Sequence, residues 1–189
     1  MSTPLTATPA QTIGPFFGYA LPFDRCNELV PLGSPGAIQL HGIVADGDGS
    51  GVPDALLEIW QADADGTVPD AAGSLHRDGW TFTGWGRAGT DDAGRYSFST
   101  IIPGAVDPGA APFILITVFA RGLLNRLFTR AYIPDELLSQ DPLVTSLAPE
   151  RSDTLIAVHD DTGLRFDIQL QDTPGKPETV FLRYPGHQR

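Results

Sequence analysis

Alternation of apolar and polar side chains recurs along this chain. Residues 164–171 place Leu164, Phe166, Ile168 and Leu170 on one side, and Arg165, Asp167, Gln169 and Gln171 on the other. That alternation predicts a strand with one buried and one wet face. Residues 95–100 repeat it, with Tyr96 and Phe98 opposed to Ser97 and Ser99. Residues 38–44, 56–60, 154–159 and 178–183 also read as strands. Residues 113–120 are apolar on both faces and rich in Ile, Val and Phe, the pattern of a central strand. Between these runs lie Asp-Gly turn signals beginning at Asp46, Asp63, Asp91 and His159. Glycine there supplies the positive φ of a tight turn. Helix is scarce: residues 134–138 could start a short one, stopped by Pro142. The pattern predicts an all-β fold, an antiparallel β-sandwich with long irregular loops. Its expected core is Ile38, Leu40, Ile59, Tyr96, Phe98, Ile114, Ile116, Val118, Phe166, Ile168 and Val180. Trp60, Trp80 and Trp85 are expected beneath loops or at a subunit contact. The proline-rich stretch 1–35 has no period and reads as an extended N-terminal arm on a single domain spanning 1–189.

Composition narrows the partners. The chain has 189 residues, with 12 Lys+Arg against 23 Asp+Glu, a net charge of −11. That argues against a nucleic-acid or anionic-membrane binder. The 21 glycines and 17 prolines, about a fifth of the chain, suit turns and loops rather than a helix bundle. A lone Cys26 excludes an intrachain disulfide and any Cys-based zinc cluster. Residues 1–9 lack the basic residue and apolar run of a signal peptide. The longest apolar run, 112–120, falls short of the roughly 20 residues that span a bilayer. The expectation is a soluble, cytoplasmic protein.

Generic motifs do not supply a self-contained active site. Residues 84–89 match GxGxxG, but a turn into another strand follows instead of a helix, so they read as a glycine-permitted bend. The acidic run 46–51 resembles the start of a calcium loop, yet its twelfth position is Leu57 rather than glutamate, so it reads as a hairpin turn. His41, His76, His159 and His187 lack the close spacing of metal ligands on one element. No Gly-x-Ser-x-Gly occurs. Two features stand out. Residues 8–17 (TPAQTIGPFF) set Gly14 and Pro15 beside aromatics, either as a packing arm or as a contact element. Residues 121–132 (RGLLNRLFTRAY) carry Arg121, Arg126 and Arg130, suited either to a carboxylate or to strand-face ion pairs.

More specific blocks appear in a fixed order. Residues 57–66 read LEIWQADADG. Gly86-Arg87 precede TDDAGRYSF at 90–98, and TIIPG follows at 100–104. With TPxQTxGPFF before them and the strands at 164–170 and 178–181 after them, these blocks resemble the intradiol ring-cleavage dioxygenases over nearly the whole chain. Within that family the resemblance is to alpha-type chains, which pair with a homologous beta subunit.

The resemblance implies a function and its limits. Catalytic members hold a non-haem ferric ion with two tyrosines and two histidines. The matching positions here are Val68, Val106 and the run Phe113, Ile114, Leu115, none of which can donate to a hard ferric ion. The Fe(III) cofactor would therefore belong to the partner beta chain, and this chain would carry no catalytic and no metal-binding residue. It would instead wall the substrate pocket of an alpha–beta hetero-oligomer with Thr12, Gly14, Pro15 and Arg130. Phe16 stands where an alpha-type chain can carry tyrosine. The implied reaction opens protocatechuate with O2 to 3-carboxy-cis,cis-muconate. Arg130 would offset the substrate carboxylate. The alternatives are a metal-free β-sandwich binding module without catalysis, and a metalloenzyme with a rearranged site built from His41, His76, His159 and tyrosines.

Overall fold

Two stacked β-sheets form the body of the computed structural model, which describes residues 10–70 and 77–184. Thr8, Pro9, His76 and His187 lie outside the described residues. The strands are β1 (Ala37–Ala45), β2 (Leu56–Trp60), β3 (Trp85–Gly89), β4 (Arg95–Ile101) and β5 (Phe113–Phe119). They continue as β6 (Leu127–Tyr132), β7 (Val158–Asp160), β8 (Gly163–Arg165) and β9 (Ile168–Gln169). Short helices α1 (Phe16–Ala20), α2 (Pro142–Ser146) and α3 (Pro149–Ser152) are the α-helices among the described residues.

Sheet 1 has the order β4-β1-β8-β7, with β9 also on β1, and sheet 2 the order β3-β2-β5-β6. The β-sandwich expected from the alternating pattern is present. Sheet 1 is mixed rather than wholly antiparallel, because β8 and β9 run parallel to β1. The core lies between the sheets. Leu40, Phe98, Leu164, Phe166 and Ile168 point in from sheet 1, and Leu57, Ile59, Ile114, Ile116 and Val118 from sheet 2. Of the expected core residues only Ile38 is partly exposed, and it still packs on that cluster. Trp85 is buried, whereas Trp60 and Trp80 are exposed.

The run 164–171 keeps its inward face but is split in two. The Ile43 N–H is taken by the Asp167 carboxylate at 3.2 Å instead of by a backbone carbonyl. A Cβ on Gly42 would lie 2.0 Å from the Phe166 carbonyl oxygen, so only glycine lets the chain cross β1 here. The Tyr96 hydroxyl donates to that same carbonyl.

Three hairpin turns repeat one device. In each, an aspartate Oδ1 accepts the N–H groups two and four residues on: Asp46 from Asp48 and Ser50, Asp63 from Asp65 and Thr67, Asp91 from Ala93 and Arg95. The fourth residue of each is a positive-φ glycine, Gly49, Gly66 or Gly94. The hairpin reading of 46–51 therefore holds, and the Asp46 carboxylate is spent on backbone donors.

Three expectations need correction. Residues 85–89 of the GxGxxG match form β3, and only Gly84 bends, with φ +65°. The short helix expected before Pro142 is present as a 3-10 helix, Glu136–Gln140, and Pro142 itself opens α2, where Asp141 caps Leu143 and Val144 and proline suits the first helical turn. Residues 153–155 form a 3-10 turn, so that strand begins only at Val158. Residues 178–183 form no strand and hold one isolated bridge, Leu182 with Phe128.

Candidate functional site

The face of sheet 2 turned away from the core is built from large side chains in register. One row runs Trp85, Trp60, Leu115, Arg130 across the four strands; the next runs Arg87, Glu58, Thr117, Phe128. Loops and helices cover its ends. Phe23 stacks on Trp85 with 6.1 Å between centroids, and Phe17 of α1 meets Phe119 at 5.2 Å. At the other end Phe113 and Tyr132 are packed beneath Leu137, Leu143 and Leu155. Between these covers Trp60 remains 43% exposed. Arg87 is neutralised within the face: its Nε lies 2.9 Å from Glu58, and a second N–H donates to the Leu21 carbonyl at 2.7 Å.

Arg130 stands on β6 opposite Leu115. Its guanidinium lies 4.1 Å from the Phe113 ring centroid and donates to the Tyr132 hydroxyl at 2.9 Å. The Tyr132 hydroxyl donates in turn to Asp141 at 3.1 Å. The same Asp141 oxygen accepts the Leu143 and Val144 N–H groups at 2.9 and 3.1 Å, which offsets the cost of burying a carboxylate. Burial works against the Arg130 charge, but hydrogen bonds to Tyr132 and Tyr184 outweigh it and hold the pKa above its ordinary value. Burial pushes the Tyr132 hydroxyl upward, with Arg130 opposing. The Arg130 Nε is buried without a hydrogen-bond partner.

The N-terminal arm sits elsewhere. The Thr12 Oγ1 accepts the Gly122 N–H at 2.7 Å, fixing the arm to the β5–β6 turn. Gly14 and Pro15 follow at the start of α1, and all three are exposed. Nothing lies within 4 Å of where a Gly14 Cβ would be. Arg130 is three residues into β6 from Leu127, roughly 10 Å along the strand. No hydrogen bond or ion pair joins Arg130 to Thr12, Gly14 or Pro15. Of the other arginines, Arg121 pairs with Asp54 at 2.9 Å and Arg126 lies over the Phe128 ring.

The positions expected of metal ligands are apolar shelf. Val68 and Val106 are 54% and 50% exposed on two loops that abut through their backbones, where the Gly104 N–H donates to the Asp63 carbonyl at 2.8 Å. Phe113 and Leu115 point to the outer face, and Ile114 is buried in the core. This donor set does not fit an iron ion, because hydrocarbon side chains offer it no oxygen or nitrogen. Among the described residues no three His, Cys, Asp or Glu side chains are placed to hold a metal. His41 bonds Asp160 and Thr162, at 2.9 and 2.7 Å, and His159 is exposed on β7.

A family profile described as Dioxygenase matches residues 13–172. The chain is 37% identical over 199 residues to the protocatechuate 3,4-dioxygenase alpha chain of Burkholderia cepacia, covering 95% of this chain and 98% of that one. This chain belongs to the intradiol dioxygenase family. It is also 33% identical to the protocatechuate 3,4-dioxygenase beta chain of the same organism, over 89% of this chain and 77% of that one. The fold agrees with the intradiol ring-cleavage dioxygenase of Tetranychus urticae, at TM-score 0.55 and 18% identity, with 92% of this chain and 98% of that one covered. No helix among the described residues is long and apolar enough to cross a membrane.

Against this intradiol dioxygenase background, the sequence reading missed Tyr132 and Asp141. One signal was present: an Asp-Pro pair at 141–142 marks a helix cap, and a capping carboxylate is a ready partner for a nearby hydroxyl. Nothing in the sequence pattern linked that cap to Tyr132, nine residues before it, or to Arg130.

Proposed function

We propose that this chain is the alpha-type subunit of a hetero-oligomeric intradiol dioxygenase acting on protocatechuate. A homologous beta subunit holds the Fe(III), and the arm 1–35 reaches that subunit. Thr12, Gly14, Pro15 and Arg130 of this chain wall the pocket at the interface. The reaction opens the ring between the two hydroxyl-bearing carbons with both atoms of O2, giving 3-carboxy-cis,cis-muconate. The observation that carries this reading is a full-length likeness to alpha chains combined with Val68, Val106, Phe113, Ile114 and Leu115 at the ligand positions. A chain that keeps the fold and lacks every donor needs a partner for the chemistry.

The geometry around Arg130 supports a role for it in substrate binding. Two tyrosines and the Phe113 ring hold its guanidinium at the half-covered outer face of sheet 2. A fixed cation of this kind offsets the charge of a carboxylate entering a partly dry pocket. Gly14, with open space around it, permits close approach of backbone to a ligand. The exposed Trp60, Val68 and Val106 supply apolar surface for the partner.

Ring cleavage should be assayed for this chain, its beta partner and the two together. Activity is expected only with both. In the complex, Arg130→Met should lower kcat/KM for protocatechuate by about tenfold to a hundredfold, the loss of one charge-assisted contact. Catechol, which lacks the carboxylate, should be little affected. Full activity and equal affinity of the beta chain alone would overturn the shared pocket.

A further inference from the structure

The face of sheet 1 turned away from the core is rich in cationic side chains. It carries His41 and Ile43 on β1, Arg95 on β4 and Arg165 on β8. Together with the edge of β3 and the turn holding Lys176, it encloses an open groove of about 980 Å³. Small-molecule sites run to about 1,000 Å³. Arg87, Arg95, Arg165 and Lys176, four of the 12 Lys and Arg, line it. Only Asp91 and Asp167, two of the 23 acidic residues, do so. In a chain of net charge −11 this is a local inversion of sign.

Both carboxylates are already committed. Asp91 accepts the Ala93 and Arg95 backbone N–H groups at 2.9 and 2.8 Å. Asp167 accepts the Ile43 N–H at 3.2 Å and pairs with Arg165 at 3.0 Å. Arg87 is spent on Glu58. Arg95 and Lys176 have no ion-pair partner among the described residues, and the Arg165 side chain stays 58% exposed. Arg95 faces Ile43 from one side of β1, and Arg165 faces His41 from the other. The two arginines therefore start two strand spacings and two residues apart, about 12 Å. Between them lies Ile43, an apolar side chain 37% exposed.

We propose that this groove binds a small linear dicarboxylate. One carboxylate is taken by Arg95 and the other by Arg165, the carbon chain crosses Ile43, and Lys176 adds to the field. Two separated cations with an apolar strip between them favour a ligand charged at both ends over a single compact anion. The site uses none of Thr12, Gly14, Pro15 or Arg130, so it stands independently of the pocket proposed above.

The test is calorimetric titration of the purified full-length protein with adipate, and with hexanoate as the one-carboxylate control. Saturable adipate binding is expected, with hexanoate weaker by about tenfold or more. Arg95→Gln and Arg165→Gln should each weaken adipate by a similar factor. Both arginines are solvent-exposed, and matching thermal melts will show that the variants keep the fold. Absence of saturable adipate binding at millimolar concentration would overturn the proposal. So would equal binding of hexanoate, or unchanged affinity in both variants.

Discussion

Replacing Tyr132 by phenylalanine deletes one oxygen atom from the middle of the Arg130–Tyr132–Asp141 chain. The ring remains, still packed against Phe113 at 5.6 Å, so the apolar burial is conserved. Two hydrogen bonds disappear, the one from Arg130 at 2.9 Å and the one to Asp141 at 3.1 Å. Each involves a charged group, worth about 1.5–3 kcal/mol. Asp141 keeps its Leu143 and Val144 donors, which limits the loss on that side. Arg130 keeps its hydrogen bond to Tyr184 but loses the one to Tyr132, beside an Nε already buried without a partner. Tyr132→Phe is therefore expected to cost about 2–4 kcal/mol, less than the simple sum because the two bonds share one atom. Urea unfolding followed by tryptophan fluorescence reads this directly. With a slope of about 2 kcal/mol per molar, the midpoint should fall by about 1–2 M. A midpoint shift below about 0.3 M would refute the view that this hydroxyl ties Arg130 to the α2 cap.

Other outcomes follow from single geometric facts. Gly42→Ala puts a methyl group 2.0 Å from the Phe166 carbonyl oxygen, so it should destabilise by about 3 kcal/mol or more and sharply lower the soluble yield; a thermal melt matching wild type would contradict this. The Asp160 carboxyl is held well below the usual carboxylate range by the Thr162 hydroxyl and N–H, with His41 and the Gly163 N–H adding to the effect. A depressed carboxyl stabilises fully above its unfolded pKa of about 4 and loses that contribution only as pH falls through the lower folded value. Amide shifts of Thr162 and Gly163 should accordingly stay constant from neutral pH down to about 4, and a titration midpoint at or above that value would count against the assignment.

Much of the sandwich was legible because its strands obey the two-residue alternation with the apolar face inward. β1, β2, β4 and β5 could be read that way from Leu40, Ile59, Phe98 and Ile116. β6 could not, although it alternates too. Its outward positions, Phe128, Arg130 and Tyr132, are larger and more aromatic than its inward Thr129 and Ala131, because helices and loops cover part of the outer face. β3 was hidden by its glycines. Gly86 faces the core where a Cβ would meet Leu29 at 2.4 Å, so the residue is set by packing rather than by a turn. The placement of the arm and of Arg130 is set by tertiary contacts. The blocks containing Thr12 and Arg130 are both visible in the sequence, but the contact that fixes Thr12 to Gly122 and the register that sets Arg130 opposite Leu115 are not. Nor could alternation foresee the side-chain substitution by Asp167 that splits β8 from β9.

The central claim is that this chain keeps the intradiol fold while its partner keeps the metal. Elemental analysis for iron, on the chain purified alone and then with its beta partner, tests it most directly. The account predicts negligible iron in the lone chain and one iron per alpha–beta pair, about a unit ratio, in the complex. Stoichiometric iron in the lone chain would contradict it and would require a donor set other than Val68, Val106, Phe113, Ile114 and Leu115.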